Sequence, residues 1–294
     1  MNPLSINFYV CPEAVRLPEF ADLAARAGAQ ALGLTVRALS EMDVPATHAL
    51  LQSHGLKVSS LNSAGYFLFG DAARAREQAQ ANTRLIAQAA ELGAETLVVI
   101  TGGLSHGPWS PAEARARVEE GLLRLADQAA SANVHLGLEP IHPLGILQKG
   151  CVNSLADALD LVGKHAQIGL TLDFFHSWWD PRFTRVFDAA LQKIRLVQFC
   201  NVAAPENPAE FVRDLPATGL LDVAGALLDM RARGYRGYFE FEMFPEHLRG
   251  RSVAETLRAA GAFHAALGQA ADQACAHRVM RSEERPDVRV GAVL

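Results

Sequence analysis

Two glycine-rich signatures are missing from this chain of 294 residues. No GxGxxG leads from a strand into a helix, and no GxxxxGKS/T is present, which excludes the commonest dinucleotide and phosphate cradles. Cysteine is scarce. Cys11, Cys151, Cys200 and Cys275 show no CxxC spacing, so neither a thiolate zinc site nor a disulfide framework is expected. Positive charge is not in excess: 27 Lys and Arg against 32 Asp and Glu leave a net charge of −5. The concentrated basic face that nucleic acid requires is therefore lacking. No apolar run approaches the ~20 residues of a membrane span. The opening MNPLSINFYV has no basic region or long apolar stretch of the signal-peptide kind. The expectation is a cytoplasmic protein acting on a small molecule, with no membrane or nucleic-acid partner and with homo-oligomerisation left open. One GxSxG match, GLSHG at 103–107, does not run straight into a helix as a nucleophile elbow must, and is read as a glycine-rich loop.

What the chain does have is alternation. Short β-branched or aliphatic runs fall near 6–10, 31–36, 57–62, 96–101, 135–139, 168–174, 194–200 and 237–243. Ala/Leu/Arg/Glu-rich runs of helical period fall near 18–28, 45–55, 71–92, 111–132, 153–165, 182–191, 222–233 and 252–269. Eight β-then-α units in ~250 residues predict an α/β fold, a single (β/α)8 TIM barrel over residues 1–270. Ser110 before Pro111 and Asn153 before SLADALDLV are the cap candidates. Residues 271–294 carry mixed charge and Pro286 and are expected to form a tail, either flexible or an intersubunit arm.

Four of these strands end on polar groups: Glu139 in HLGLEP, Asp173 in IGLTLDF, Gln198 in IRLVQFCN and Glu242 in GYFEFEM. Apolar strands seldom finish on charges without a partner or a metal. Alternation places Glu240 and Glu242 on one face of the eighth strand and Phe239, Phe241 and Met243 on the other. The acids then look into the barrel at the end where barrel chemistry collects. Three carboxylates and an amide oxygen suit a hard divalent cation. Around them His176, in DFFHSWWDP, and His142, in EPIHP, are candidate substrate contacts. Trp178 is a candidate wall of the pocket, with packing as the alternative. Arg213, in the long stretch after the seventh strand, is a candidate for binding a phosphate or carboxylate, with surface solvation as the alternative. Asn62, Thr101, His106 and Lys149 are weaker candidates.

With these residues in hand, the chain resembles the xylose isomerase-like TIM-barrel superfamily of sugar phosphate isomerases and epimerases. The resemblance rests on LGLEPIHP, CVNSLADALDLV, GLTLDFFHSWWDP and GYRGYFEFEMF and covers roughly residues 1–270. It implies one divalent ion (Mn, Mg, Co or Zn) held by Glu139, Asp173, Gln198 and Glu242, selecting Glu242 over Glu240. It further implies that Glu139 and Glu242 shuttle a proton beside a metal-polarised carbonyl of a sugar or cyclic polyol ketone. Gln198 and Asn201 stand where the closest subgroup has a ligand followed by Asp, and ATG at 217–219 replaces its usual turn. Dehydration of a cyclic hydroxy-ketone and non-catalytic sugar binding are the alternatives; a DNA-repair role, which would need many His ligands, is disfavoured.

Overall fold

The computed structural model describes residues 1–203 and 211–283, the last ten as helix backbone alone. Its strands are β1 (Leu4–Asn7), β2 (Ala31–Thr35), β3 (Lys57–Gly65), β4 (Thr96–Ile100), β5 (Leu136–Leu138), β6 (Ile168–Asp173), β7 (Ile194–Phe199), β8 (Asn201–Val202), β9 (Arg213–Asp214) and β10 (Phe239–Phe241). The first seven and β10 form a closed parallel barrel in which β10 pairs with both β7 and β1. β8 and β9 make a separate antiparallel ribbon above it. The helices are α1 (Leu17–Arg26), α2 (Val36–Glu41), α3 (Val44–Ser53), α4 (Ala72–Leu92), α5 (Pro111–Ser131), α6 (Leu155–Val162), α7 (Phe174–Ser177), α8 (Val186–Ala189), α9 (Val223–Ala232) and α10 (Val253–Glu283). The predicted TIM barrel is the observed fold. No helix among the described residues is long and apolar enough to cross a membrane.

Local chemistry explains most boundaries. Ser110 accepts from Glu113 N while Glu113 reaches back, a complete capping box ahead of Pro111. Three expectations shift. The cap of α6 is Ser154, whose Oγ accepts from Asp157 N, because the Asn153 amide is spent on the carbonyls of Ile141 and Gly150. The helix expected over 182–191 shrinks to α8: Asp180 accepts from Leu155 N and Arg182 N, holding a turn, and Ala190 leaves helical geometry at φ −144°. The helix expected to end near 269 continues to Glu283; the remainder of the predicted tail, 284–294, lies outside the described residues.

Alternation sorts the barrel as expected. Phe239, Phe241 and Met243 pack outward and are fully buried, while Glu240 and Glu242 point inward. Glu240 lies one layer below the mouth. It accepts hydrogen bonds from Ser59 Oγ (2.6 Å), Ser60 Oγ (2.8 and 3.0 Å), Asn7 Nδ2 (2.9 Å) and Gln198 Nε2 (3.0 Å). The polar faces of β1 and β3 thus exist to satisfy one buried acid. Gly33 makes room for it, since a Cβ there would stand 2.7 Å from Glu240 Oε2 and 2.8 Å from Asn7 Nδ2. Gly33→Ala is therefore expected to destabilise the fold by about 1–3 kcal/mol through overpacking. Urea unfolding would show it as a lowered midpoint; an unchanged midpoint would mean that the network has slack.

Candidate active site

The barrel register builds the mouth. Asp173 at the end of β6 sits opposite Gln198 of β7, and Gln198 sits opposite Glu240 of β10. Glu139 immediately follows β5 and Glu242 immediately follows β10; Glu139, Asp173, Gln198 and Glu242 are all buried. Gln198 Nε2 donates to Glu240 and to Glu242, each at 3.0 Å. The amide is thereby oriented, and its Oε1, also buried, has no hydrogen-bond partner among the described residues.

Arg213 occupies the centre of this group. It is neither a solvated surface cation nor a rim group: its side chain is 1 % exposed, and Nη2 lies 2.7 Å from both Asp173 Oδ2 and Glu242 Oε2. Its guanidinium carbon stands 4.3 Å from the ring centre of Phe175 and 5.1 Å from that of Phe244. The ribbon delivers it. Arg213 pairs with Val202 across β8–β9, and its neighbour Asp214 is held by Arg249 (3.0 Å) and Arg251 (3.1 Å). Sequence reasoning located the residue and not this position, because nothing in the β–α repeat dictates where an insertion folds back.

His176 is the second notable neighbour. Nε2 lies 3.6 Å from Glu139 Oε1 and 3.8 Å from Asp173 Oδ2. Burial, then Arg213 and Lys149, hold its pKa well below the usual histidine value, so the ring is neutral. Nδ1 accepts from His142 N at 3.2 Å, which assigns the remaining proton to Nε2. His176 therefore presents an N–H toward the carboxylates, and that atom has no partner at hydrogen-bond distance among the described residues. Glu139, Asp173 and His176 carry potential ligand atoms within 4.8 Å of one another, spaced to hold a metal ion. Ligation through Nε2 would require moving the proton to Nδ1, against the His142 N–H. Beside that cluster, Glu242 and the Gln198 Oε1 that lacks a partner among the described residues are two further oxygens, and oxygen donors fit a hard divalent ion.

The other candidates separate. His142 contributes its backbone N–H, and its ring packs on Trp179. Trp179 Nε1 donates to the His176 carbonyl at 3.0 Å, so Trp179 is the tryptophan that braces these histidines. Trp178 lines a separate recess with Phe174, Phe183 and Leu220. Asn62 is buried and donates to Leu34 O and Ser60 Oγ. It lines a cavity of about 890 Å³ with Tyr9, Tyr66 and Phe244. Burial raises the pKa of the Tyr9 phenol, with Glu242 and Glu139 adding to the shift; Phe244 and Pro245, which follow Glu242 in the chain, also line this cavity. Thr101 Oγ1 accepts from Cys151 N. His106 is exposed and bonded to the Gln148 carbonyl. Ser105 lies in a 3-10 turn (Leu104–His106) and donates to Leu147 O at 2.6 Å, with α5 starting only at Pro111. Lys149 stands over Phe244 at 5.2 Å and acts on Glu139 and Glu242 electrostatically, a contribution its position in a loop of 3-10 turns left illegible.

Burial and the Asp173 charge push the Glu139 carboxyl up to about 7. Burial likewise raises Glu242 well above the carboxylate range, although Arg213 opposes the shift. Both shifts raise the proton affinity of the pair above that of carboxyls in water.

The model of the xylose isomerase-like TIM barrel family matches residues 21–263 of this chain. A Sinorhizobium meliloti 1021 protein, SMc04130, superposes with a TM-score of 0.83 at 28% identity, covering 90% of this chain and 98% of that one. L-ribulose 3-epimerase superposes with a TM-score of 0.74 at 19% identity, covering 97% and 100%. Among curated proteins, the 3-dehydroshikimate dehydratase of Pseudomonas aeruginosa PAO1 is 30% identical over 170 residues, 54% of this chain and 25% of the relative. The match thus spans about a quarter of that protein's length.

A raised carboxyl pKa means that the folded protein binds a proton the unfolded chain releases between pH 4.5 and about 7. That share of the stability is present at low pH and lost as pH rises through about 7. In chelator-treated protein, the stability of Glu139→Gln relative to wild type should therefore rise between pH 5 and pH 8, by up to about 3 kcal/mol. Chemical denaturation at a series of pH values measures this; a difference independent of pH would contradict the raised value.

Proposed function

This chain belongs to the xylose isomerase-like TIM barrel family, and from that premise we propose that it is an enzyme moving a proton on the carbon beside a carbonyl. Its substrate is a sugar or cyclic polyol ketone, and the reaction is isomerisation or epimerisation. The observation that carries this reading is the pair of buried carboxyls, Glu139 and Glu242, with raised proton affinity beside two hydrogen-bond donors, His176 Nε2 and Arg213. A base with a pKa near neutrality is well matched to abstracting a carbon-bound proton at that pH.

Glu139 takes the proton as the C–H bond breaks, and the electron pair moves into the new C=C bond while charge develops on the former carbonyl oxygen. His176 Nε2–H donates to that oxygen. Arg213 supplies positive charge beside it. Glu242 returns a proton, to the same carbon for epimerisation or to the former carbonyl carbon for isomerisation, in which case the proton of the adjacent hydroxyl passes to the former carbonyl oxygen and the new carbonyl forms where that hydroxyl stood. A divalent ion held by Glu139, Asp173, Gln198 and Glu242 would supply Lewis-acid polarisation of the carbonyl. The cavity lined by Tyr9, Asn62, Tyr66 and Phe244 receives the rest of the substrate, aromatic faces against its C–H surfaces and the Asn62 amide for a hydroxyl.

A second reading rests on the 3-dehydroshikimate dehydratase relative. Dehydration begins with the same proton removal. The hydroxyl on the β-carbon then departs with a proton from a carboxyl, and water leaves in place of a rearranged sugar.

Solvent deuterium incorporation, followed by NMR over a panel of keto-sugars and cyclic polyol ketones, tests the first reading. The appearance of an absorbing unsaturated product identifies the second. Glu139→Gln and Glu242→Gln should each slow C–H exchange by about 10²–10⁴-fold. Exchange at the wild-type rate in Glu242→Gln would remove that residue from the mechanism.

A further inference from the structure

Arg213 Nη2 stands 2.7 Å from Asp173 Oδ2 and 2.7 Å from Glu242 Oε2. Divalent ions bind carboxylate oxygens at about 2.0–2.6 Å. An ion bridging these same two oxygens would overlap the nitrogen, and its charge would repel a cation that cannot deprotonate. We propose that Arg213 is the resident counter-cation of the Asp173–Glu242 pair, and that a divalent ion reaches this pair only by displacing the guanidinium. Arg213 thereby sets the metal affinity of the mouth.

The surroundings are built for such an exchange. The backbone at Arg213 is pinned by the β8–β9 pairing and by the ion pairs of Asp214 with Arg249 and Arg251, so displacement is a side-chain rotation. The guanidinium is incompletely satisfied where it lies. Among the described residues, Nη1 reaches Asp173 Oδ1 and Cys200 Sγ, each at 3.4 Å, and the buried Nε has no partner. Phe175 and Phe244 offer aromatic faces at 4.3 and 5.1 Å, contacts that keep attracting a cation without fixing its direction. The orphaned Gln198 Oε1 is a neutral acceptor that Arg213 does not use and that an incoming ion would.

This inference rests on the reading of Glu139, Asp173, Gln198 and Glu242 as metal donors. Its test is Mn²⁺ titration, by calorimetry and by the electron paramagnetic resonance of free Mn²⁺, on chelator-stripped wild type, Arg213→Met and Arg213→Lys. Arg213→Met should bind Mn²⁺ at least tenfold more tightly than wild type, and Arg213→Lys, which keeps the charge, should stay within a few fold of it. Equal or weaker binding by folded Arg213→Met, or no binding by either protein, overturns the proposal. If Arg213→Met does not fold, the wild-type structure loaded with Mn²⁺ decides. A guanidinium withdrawn from both carboxylates supports displacement; both 2.7 Å contacts intact with the ion in place overturn it. Deuterium exchange keeps the two ideas apart. A variant that gains Mn²⁺ affinity when neither it nor wild type exchanges C–H supports the cation exchange and counts against the proposed reaction. Wild-type exchange without a gain in affinity does the reverse.

Discussion

The buried contact of Arg213 with Asp173 and Glu242 is the constraint on which the mouth of this barrel depends. Glu139, Asp173, Glu240 and Glu242 are all buried within one barrel, an arrangement that folding tolerates only if each charge is matched, hydrogen-bonded or protonated. The protein uses all three devices. Arg213 matches Asp173 and Glu242, a ring of hydroxyls and amides satisfies Glu240, and Glu139 is lifted toward protonation near neutrality.

The layers are connected. Glu240 accepts one hydrogen of the Gln198 amide and Glu242 the other, so an acid with no access to the mouth decides which way the amide oxygen of the mouth faces. The hydroxyls of Ser59 and Ser60 and the amide of Asn7 fix Glu240 in turn. Similarly, a backbone N–H at His142 sets the tautomer of His176, and an indole from Trp179 holds the carbonyl of His176. Specific chemistry at the surface of the barrel is thus specified from beneath and from the side.

The barrel and its inward acids were legible in the sequence because two periodicities govern them: eight β–α units for the fold, and side-chain alternation for Glu240 and Glu242. Asp173 and Glu139 followed from strand ends. Ser5 and Asn7 of β1 obey the same alternation and could have been found as partners of a buried acid, whereas the adjacent Ser59 and Ser60 both reach Glu240 through a register shift in β3 that alternation does not foresee. The positions that Arg213 and Lys149 take, both of them named as candidates, and the choice of Trp179 over Trp178 could not. They lie in irregular segments, where a shift of one residue changes what a side chain meets and no repeat constrains it. The same applies to α8 and to the Ser154 cap, each decided by hydrogen bonds between segments far apart in the chain.

Arg213 comes from the β8–β9 ribbon, outside the eight-fold repeat. The acids are welded into the barrel wall, whereas the positive charge that answers them hangs from an appendage whose loss would leave every barrel strand paired. Fold and site charge are therefore separable inheritances. Divergence in this architecture can rewrite the ribbon, trading guanidinium for a neutral side chain or repositioning it, and so retune the electrostatic character of the mouth without reopening the problem of how the barrel closes.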